Sequence, residues 1–193
     1  MPALMIGENL KLAICKARAF VADQRGVSAV EFAFILPVMV ALYMGGVEVT
    51  QAVSASRKAT LVSHTVADLV AQNSTISNTD MTNVLNASSA VMVPFASSNL
   101  QVVVSSIKID NTGTAKVAWS DTLNGTPRAV NQTITLDAAL AVPNSSLILG
   151  EVTYVYTPIF GTAITGQINL SDRIYMRPRK SACVVRPPTV TVC

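Results

Sequence analysis

The chain has 193 residues, of which 50% are hydrophobic and only 13% are charged, about half of the charged fraction that is usual in soluble domains. Its mean hydropathy of +0.45 excludes an intrinsically disordered chain, which needs low hydrophobicity and high charge, and disfavours a purely cytosolic globular protein. A formal net charge of +3 is too small to imply nucleic-acid binding by itself.

The apolar residues are concentrated in one segment near the N-terminus. Residues 32–47 form a run of sixteen without a charge, and residues 27–49 as a helix would be about 34 Å long. A bilayer core is about 30 Å thick, so this helix can cross it once. The alternative is a buried core helix, but such a helix usually carries a polar face. We predict a transmembrane helix over residues 27–49.

The charges that flank this segment predict its orientation. Four basic and two acidic residues precede it, whereas bases and acids balance just after it. The positive-inside rule therefore predicts a cytoplasmic leader over residues 1–26 and an extracytoplasmic C-terminal part. A cleaved signal peptide fits poorly, because the apolar run is too long and no small-residue site closes it.

Three residues within the span need explanation. Glu48 lies near its end and can occupy the membrane interface, whereas Glu31 lies deeper and needs a partner, since an acid inside a bilayer is costly. Pro37 removes one helix hydrogen bond and tends to kink the helix.

The segment RGVSAVEFAFILPVMVALYMGGVEV (residues 25–49) carries a resemblance. Its basic residue, Gly26 and the Glu five residues later are similar to the prepilin-peptidase site of type IV pilins and pseudopilins. Its Gly, Glu-Phe-Ala, Leu-Pro and Gly-x-x-Glu spacing resembles the TadE-like family of Flp (tight-adherence) pilus proteins. The resemblance covers about residues 24–50.

The resemblance implies a minor pilin or pseudopilin-like subunit. A prepilin peptidase would cut between Gly26 and Val27, because a residue without a side chain fits a narrow cleft. Glu31 would pair with the new Val27 amine of a neighbouring subunit, and Phe32 and Pro37 would belong to the assembly surface. Glu31 as a merely tolerated interfacial acid remains the alternative.

The implied partners are the prepilin peptidase, other pilins or minor pilins, the Tad assembly platform and the inner membrane. We expect no cofactor and no nucleic acid. The implied location is the bacterial inner membrane, crossed once with the C-terminal domain in the periplasm, or a surface pilus. The alternative function is an uncleaved single-pass envelope protein whose extracytoplasmic β-domain binds a ligand.

The pattern after the span predicts an α+β fold: a long N-terminal transmembrane and stem helix followed by a small antiparallel β-sheet domain, as in pilins. Apolar residues at helical spacing over 50–72 predict a periplasmic extension of the first helix that ends near Asn73. Residues 73–193 form the extracytoplasmic domain. It begins with a helix capped by Thr79 or Asp80. Strands are predicted at 100–109, 115–120, 132–136, 147–157 and 174–176. The turn Asn111-Thr112-Gly113 joins the first two strands as a hairpin.

The C-terminal region carries a second, weaker resemblance. The string EVTYVYTPIF (residues 151–160) is similar to a Val-x-Tyr-x-Tyr-x-Pro pattern of TadE-like C-terminal regions.

The three cysteines divide between the two predicted compartments. Cys15 lies in the leader, where thiols stay reduced, whereas Cys183 and Cys193 lie in the oxidising compartment and are predicted to form a disulfide. A metal site is disfavoured because His64 is the sole histidine.

Five basic residues cluster near the C-terminus and allow two interpretations. They form either a patch for an anionic ligand or a solvated loop that offsets acids on the sheet, and we favour the loop. The five are Arg173, Arg177, Arg179, Lys180 and Arg186.

No catalytic constellation is visible in the sequence. The chain lacks a nucleophile-elbow, P-loop or dinucleotide motif, and its extracytoplasmic carboxylates are scattered. His64 beside Ser63 is better explained as a structural residue on a helix face. We predict that the protein is not an enzyme.

Overall fold

A computed structural model describes residues 25–160 and 166–190. Helix α1 spans Arg25–Ala71, α2 spans Asn78–Met92, and a short 3-10 helix spans Ser97–Asn99. The strands are β1 (Leu100–Ile109), β2 (Ala115–Leu123), β3 (Thr133–Ile134), β4 (Ser145–Tyr156) and β5 (Ile168–Met176). The predicted leader, including Cys15, lies outside the described residues except for its last two positions.

The chain divides into two compact units, residues 1–47 and 48–193. The described part of the first unit is the N-terminal half of α1, which continues through Pro37. Nearly all of its side chains are exposed.

The second unit contains a five-stranded antiparallel sheet in the order β3-β2-β1-β4-β5. The predicted hairpin joins β1 to β2. Its turn is built by the Asp110 carboxylate, which accepts hydrogen bonds from the backbone amides of Thr112 and Thr114, each at 2.9 Å. Gly113 supplies a positive φ of 84° in this turn, a conformation that glycine adopts without strain. The sheet and the long helix confirm the predicted α+β fold.

The C-terminal half of α1 packs with α2 against one face of the sheet. Small residues of α1, such as Ala55, Ala59 and Ala67, are buried in this core. The packing is close at Gly150 of β4, where an added Cβ would lie 2.9 Å from the Ser63 carbonyl oxygen. Glycine at 150 therefore lets helix and strand backbones approach closely.

A bulge in β2 distributes its side chains between the two faces. Ser106 pairs with Trp119 and Ile107 pairs with Val117, so Ala118 has no opposite residue. The extra residue places Trp119 in the core beneath the helices, whereas Ile107 lies in a smaller apolar cluster. The Trp119 indole donates to the Val184 carbonyl at 2.9 Å.

Several predicted element boundaries were wrong. The N-cap of α2 is Ser77, not Thr79 or Asp80. Asp80 is the third residue of the helix and forms a capping box with Ser77, in which its carboxylate accepts a hydrogen bond from the Ser77 amide. Strand β5 begins at Ile168 rather than at 174. The prediction missed its first half because exposed polar residues alternate there with half-buried ones, as is common on an edge strand. Strand β3 covers only two of the five predicted residues.

Candidate functional site

The N-terminal half of α1 exposes apolar side chains on every face. Val27 is 53% exposed, Phe32 57% and Phe34 77%, and Glu31 and Pro37 are exposed among them. Apart from Gly26, its two chain neighbours and the backbone of its own helix turn, no described atom lies within 4 Å of a Cβ added at Gly26. A helix that is apolar all round needs an apolar environment outside the protein that carries it.

The same segment satisfies the length and composition of a membrane span. Within the described part of the chain, one helix, residues 26–71, is long and apolar enough to cross a bilayer. Its most apolar stretch has a mean hydropathy of 2.0 and is not buried. The chain is thus compatible with a single-pass membrane protein.

The start of α1 has an uneven distribution of charge. The first turn contains no acidic residue, and Glu31 is the first acid along the helix. Val27 and Glu31 are four residues apart and therefore share one helix face.

Glu48, near the end of the predicted span, is hydrogen-bonded to the last residue of β4 and to the loop that follows it. Its carboxylate accepts a hydrogen bond from the Phe160 amide, and its backbone carbonyl lies 3.5 Å from the Tyr156 hydroxyl. Burial raises the pKa of Tyr156, and the Glu48 charge adds to this effect. More than 100 residues separate these partners, so no local sequence pattern reveals the contact.

The five clustered basic residues do not form one uniform surface. Arg186 is only 8% exposed and bonds to Asp121 and Asn78. Arg179 forms an ion pair with Asp68. Arg173, Arg177, Arg179 and Lys180 are exposed. An anionic-ligand patch that includes the buried Arg186 is thus disfavoured, and a patch of the four exposed residues remains a prediction.

Cys183 is buried beside Val184 at the end of the sheet domain. Cys193 lies outside the described residues, so the disulfide between them remains a prediction.

Two acidic residues of the sheet, Glu151 and Asp172, are bonded to different partners. Glu151 accepts two hydrogen bonds from Arg128, at 2.7 and 2.6 Å, and this bond raises the pKa of Arg128. The Ser63 hydroxyl is buried and bonded to Asp172, whereas the neighbouring His64 is exposed. No group of three or more potential metal ligands occurs among residues 25–160 and 166–190.

A family model described as TadE-like protein matches residues 26–68. The match confirms the resemblance of this segment to the TadE-like family. It begins at Gly26 and ends at Asp68, so it covers most of α1, and the sheet lies outside it. The match associates residues 26–68 with a family of Tad/Flp pilus proteins. No curated protein and no solved structure matches the chain.

Proposed function

We propose that the protein is a minor pilin or pseudopilin-like subunit of a Flp/Tad pilus, inserted in the inner membrane through residues 27–49. One observation carries the proposal: the TadE-like match begins with a helical segment, residues 26–47, whose apolar side chains are almost all exposed. The leader would lie in the cytoplasm, and residues 50–193 would lie in the periplasm or on an assembled pilus.

The proposed processing site is the bond between Gly26 and Val27. Gly26 lies at the beginning of α1, and the space around its α-carbon is open. A prepilin peptidase can therefore approach this bond without displacing another part of the described chain.

Cleavage there would create a positively charged amine on Val27, which the Glu31 carboxylate can neutralise. A new ammonium group on Val27 would lie at the positive end of the helix dipole, where a cation is unfavourable. In apolar surroundings both this amine and the Glu31 carboxylate need an opposite charge. We propose that Glu31 of one subunit pairs with the Val27 amine of its neighbour and thereby fixes their register.

Phe32 and Pro37 would contribute to the same subunit contact. Phe32 presents an exposed aromatic surface beside Glu31. Pro37 has no amide hydrogen, so the carbonyl of Ala33 loses its usual helix partner. This local weakness gives the helix freedom to bend when subunits pack.

The proposal is tested by comparing two glycine variants of the same helix. We expect Gly26→Leu to prevent peptidase-dependent shortening of the chain, because the new side chain obstructs the cleft. Gly45→Leu is the matched control, since a Cβ added at Gly45 also meets open space but lies far from the cut. Normal shortening of Gly26→Leu would contradict the proposed site.

A second variant separates processing from assembly. Glu31→Gln keeps the size of the side chain but removes its charge, so we expect normal shortening with loss of the chain from sheared pili. Unchanged incorporation of Glu31→Gln would contradict the charge pairing and favour the interfacial-acid alternative. A full-length functional chain in membranes would favour the uncleaved envelope protein.

A further inference from the structure

The loop after β4 carries two neighbouring apolar side chains that the sheet domain does not cover. Ile159 is 72% exposed and Phe160 is 58% exposed, whereas Pro158 before them is buried. Among described residues from 48 onward, Phe160 is the one aromatic residue in the exposed class. Exposed adjacent apolar residues of this size indicate a contact surface.

Two contacts hold this pair beside the end of the predicted span. The Phe160 amide donates to the Glu48 carboxylate, and the Tyr156 hydroxyl lies 3.5 Å from the Glu48 carbonyl oxygen. Glu48 is one residue before Val49, the last residue of the predicted membrane segment, and Val49 is itself 64% exposed. The Phe160 amide is therefore held at Glu48, one residue before the end of the predicted span.

The hydrogen bond to Glu48 also lowers the free-energy cost of placing this loop in apolar surroundings. A backbone amide that enters a membrane without a partner costs several kcal/mol, and here the Phe160 amide already has one. Phe and Ile side chains gain free energy on leaving water, while a carboxylate such as that of Glu48 is tolerated at the interface.

We propose that Ile159 and Phe160 form a second membrane contact, inserted into the interface of the leaflet from which α1 emerges. The occupant of this surface is lipid, because the Phe160 amide is bonded to Glu48, whose neighbour in sequence is the exposed Val49 at the end of the predicted span. The inference rests on the proposed function in one respect: α1 must cross the membrane. The contact would hold the sheet domain against the bilayer until the subunit leaves it.

Fluorescence quenching by brominated phospholipids tests the inference on the full chain in nanodiscs of phosphatidylcholine and phosphatidylglycerol. Three single variants are compared after subtraction of the common Trp119 signal. Phe160→Trp reports the loop, Leu36→Trp reports the middle of the span, and Val130→Trp reports an exposed loop residue (51% exposed) that has no contact with Glu48. Trp119 emission verifies that each variant is folded.

We expect lipid brominated near the headgroup end of its chains to remove about half of the Phe160→Trp emission, since an aromatic ring at the interface lies within contact range. Val130→Trp should be unaffected. An unquenched Phe160→Trp beside a quenched Leu36→Trp would overturn this inference and leave the membrane span intact. An unquenched Leu36→Trp would overturn the span as well. Equal quenching of Val130→Trp would also contradict the inference, because the quenching would then not be specific to the loop. So would a blue-shifted Phe160→Trp emission that no brominated lipid quenches, because the ring would then be buried in protein.

Discussion

The guanidinium group of Arg186 donates two hydrogen bonds to the carboxylate of Asp121, at 2.8 and 3.1 Å. A third bond, 2.6 Å long, joins it to the Asn78 side chain. Arg186 thereby connects the C-terminal segment with β2 and with the first residue of α2. A parallel bridge between Thr75 and Val185 completes the attachment. The C-terminal segment is thus an integral part of the sheet domain.

Removing Arg186 should destabilise this domain. Arg186→Met retains much of the side-chain volume but leaves the partly buried Asp121 carboxylate without its bidentate partner. Because Asp121 keeps some solvent contact, we expect a loss of about 2 kcal/mol, below the value for a fully buried pair. Chemical denaturation of the detergent-solubilised chain, followed by Trp119 fluorescence, measures it. Arg173→Met, at an exposed position, is the control and should change stability by less than about 0.5 kcal/mol. Equal losses in the two variants would contradict a stabilising role for the bond between Arg186 and Asp121.

Gly150 should not tolerate a larger residue. In Gly150→Ala the new methyl group would lie 2.9 Å from the Ser63 carbonyl and 3.1 Å from the Ala67 Cβ, so α1 and β4 must separate. Overpacking of this kind costs about 1–3 kcal/mol. The same denaturation experiment on Gly45→Ala, a glycine with open space around it, should show no loss. A Gly150→Ala chain as stable as the parent would contradict the close packing.

The capping box of α2 predicts a pH dependence. Hydrogen bonds from Ser77 hold the pKa of Asp80 below its usual value. A depressed carboxyl pKa contributes stability above the unfolded pKa, and that stability is lost as the pH falls through the folded pKa. Unfolding midpoints measured from pH 7 to pH 3 should therefore fall less steeply in Asp80→Asn than in the parent. Asp137→Asn, an exposed acid between β3 and β4, controls for the removed charge; identical slopes in all three chains would contradict the prediction.

Cys183 and Cys193 should form a disulfide in the mature protein. A bridge that closes so short a loop stabilises by roughly 2–3 kcal/mol, because it restricts the unfolded chain. Alkylation of the denatured, unreduced protein followed by peptide mapping should recover the two cysteines in one linked peptide. Quantitative alkylation of Cys183 would contradict the bond. Cys183→Ser should show the corresponding loss of stability.

The sequence was most informative where a pattern depends on neighbours along the chain. Strand β1 was predicted at its observed bounds because its residues are almost continuously apolar and β-branched. The turn at Gly113 follows from local chemistry in the same way. The end of α1 was predicted within two residues, because polar residues follow its last apolar position.

Contacts between distant residues were beyond prediction. Arg186 was assigned to a basic cluster because its neighbours in sequence are basic, yet its partners lie 65 and 108 residues away. The contact between Glu48 and Phe160 was missed for the same reason. The Gly26 to Pro37 segment is different: its candidate role depends on spacing within one helix, so the sequence alone was sufficient to propose it.

The mass of the mature N-terminal peptide tests the central claim most directly. Mass spectrometry would compare the membrane fraction with sheared surface material, in cells with and without the prepilin peptidase. We predict a chain that begins at Val27 and that disappears when the peptidase is absent. Its presence in sheared material would place it in the filament, and its restriction to membranes would place it in the assembly platform. A chain that begins at Met1 in every fraction would contradict the proposed processing and favour the uncleaved envelope protein.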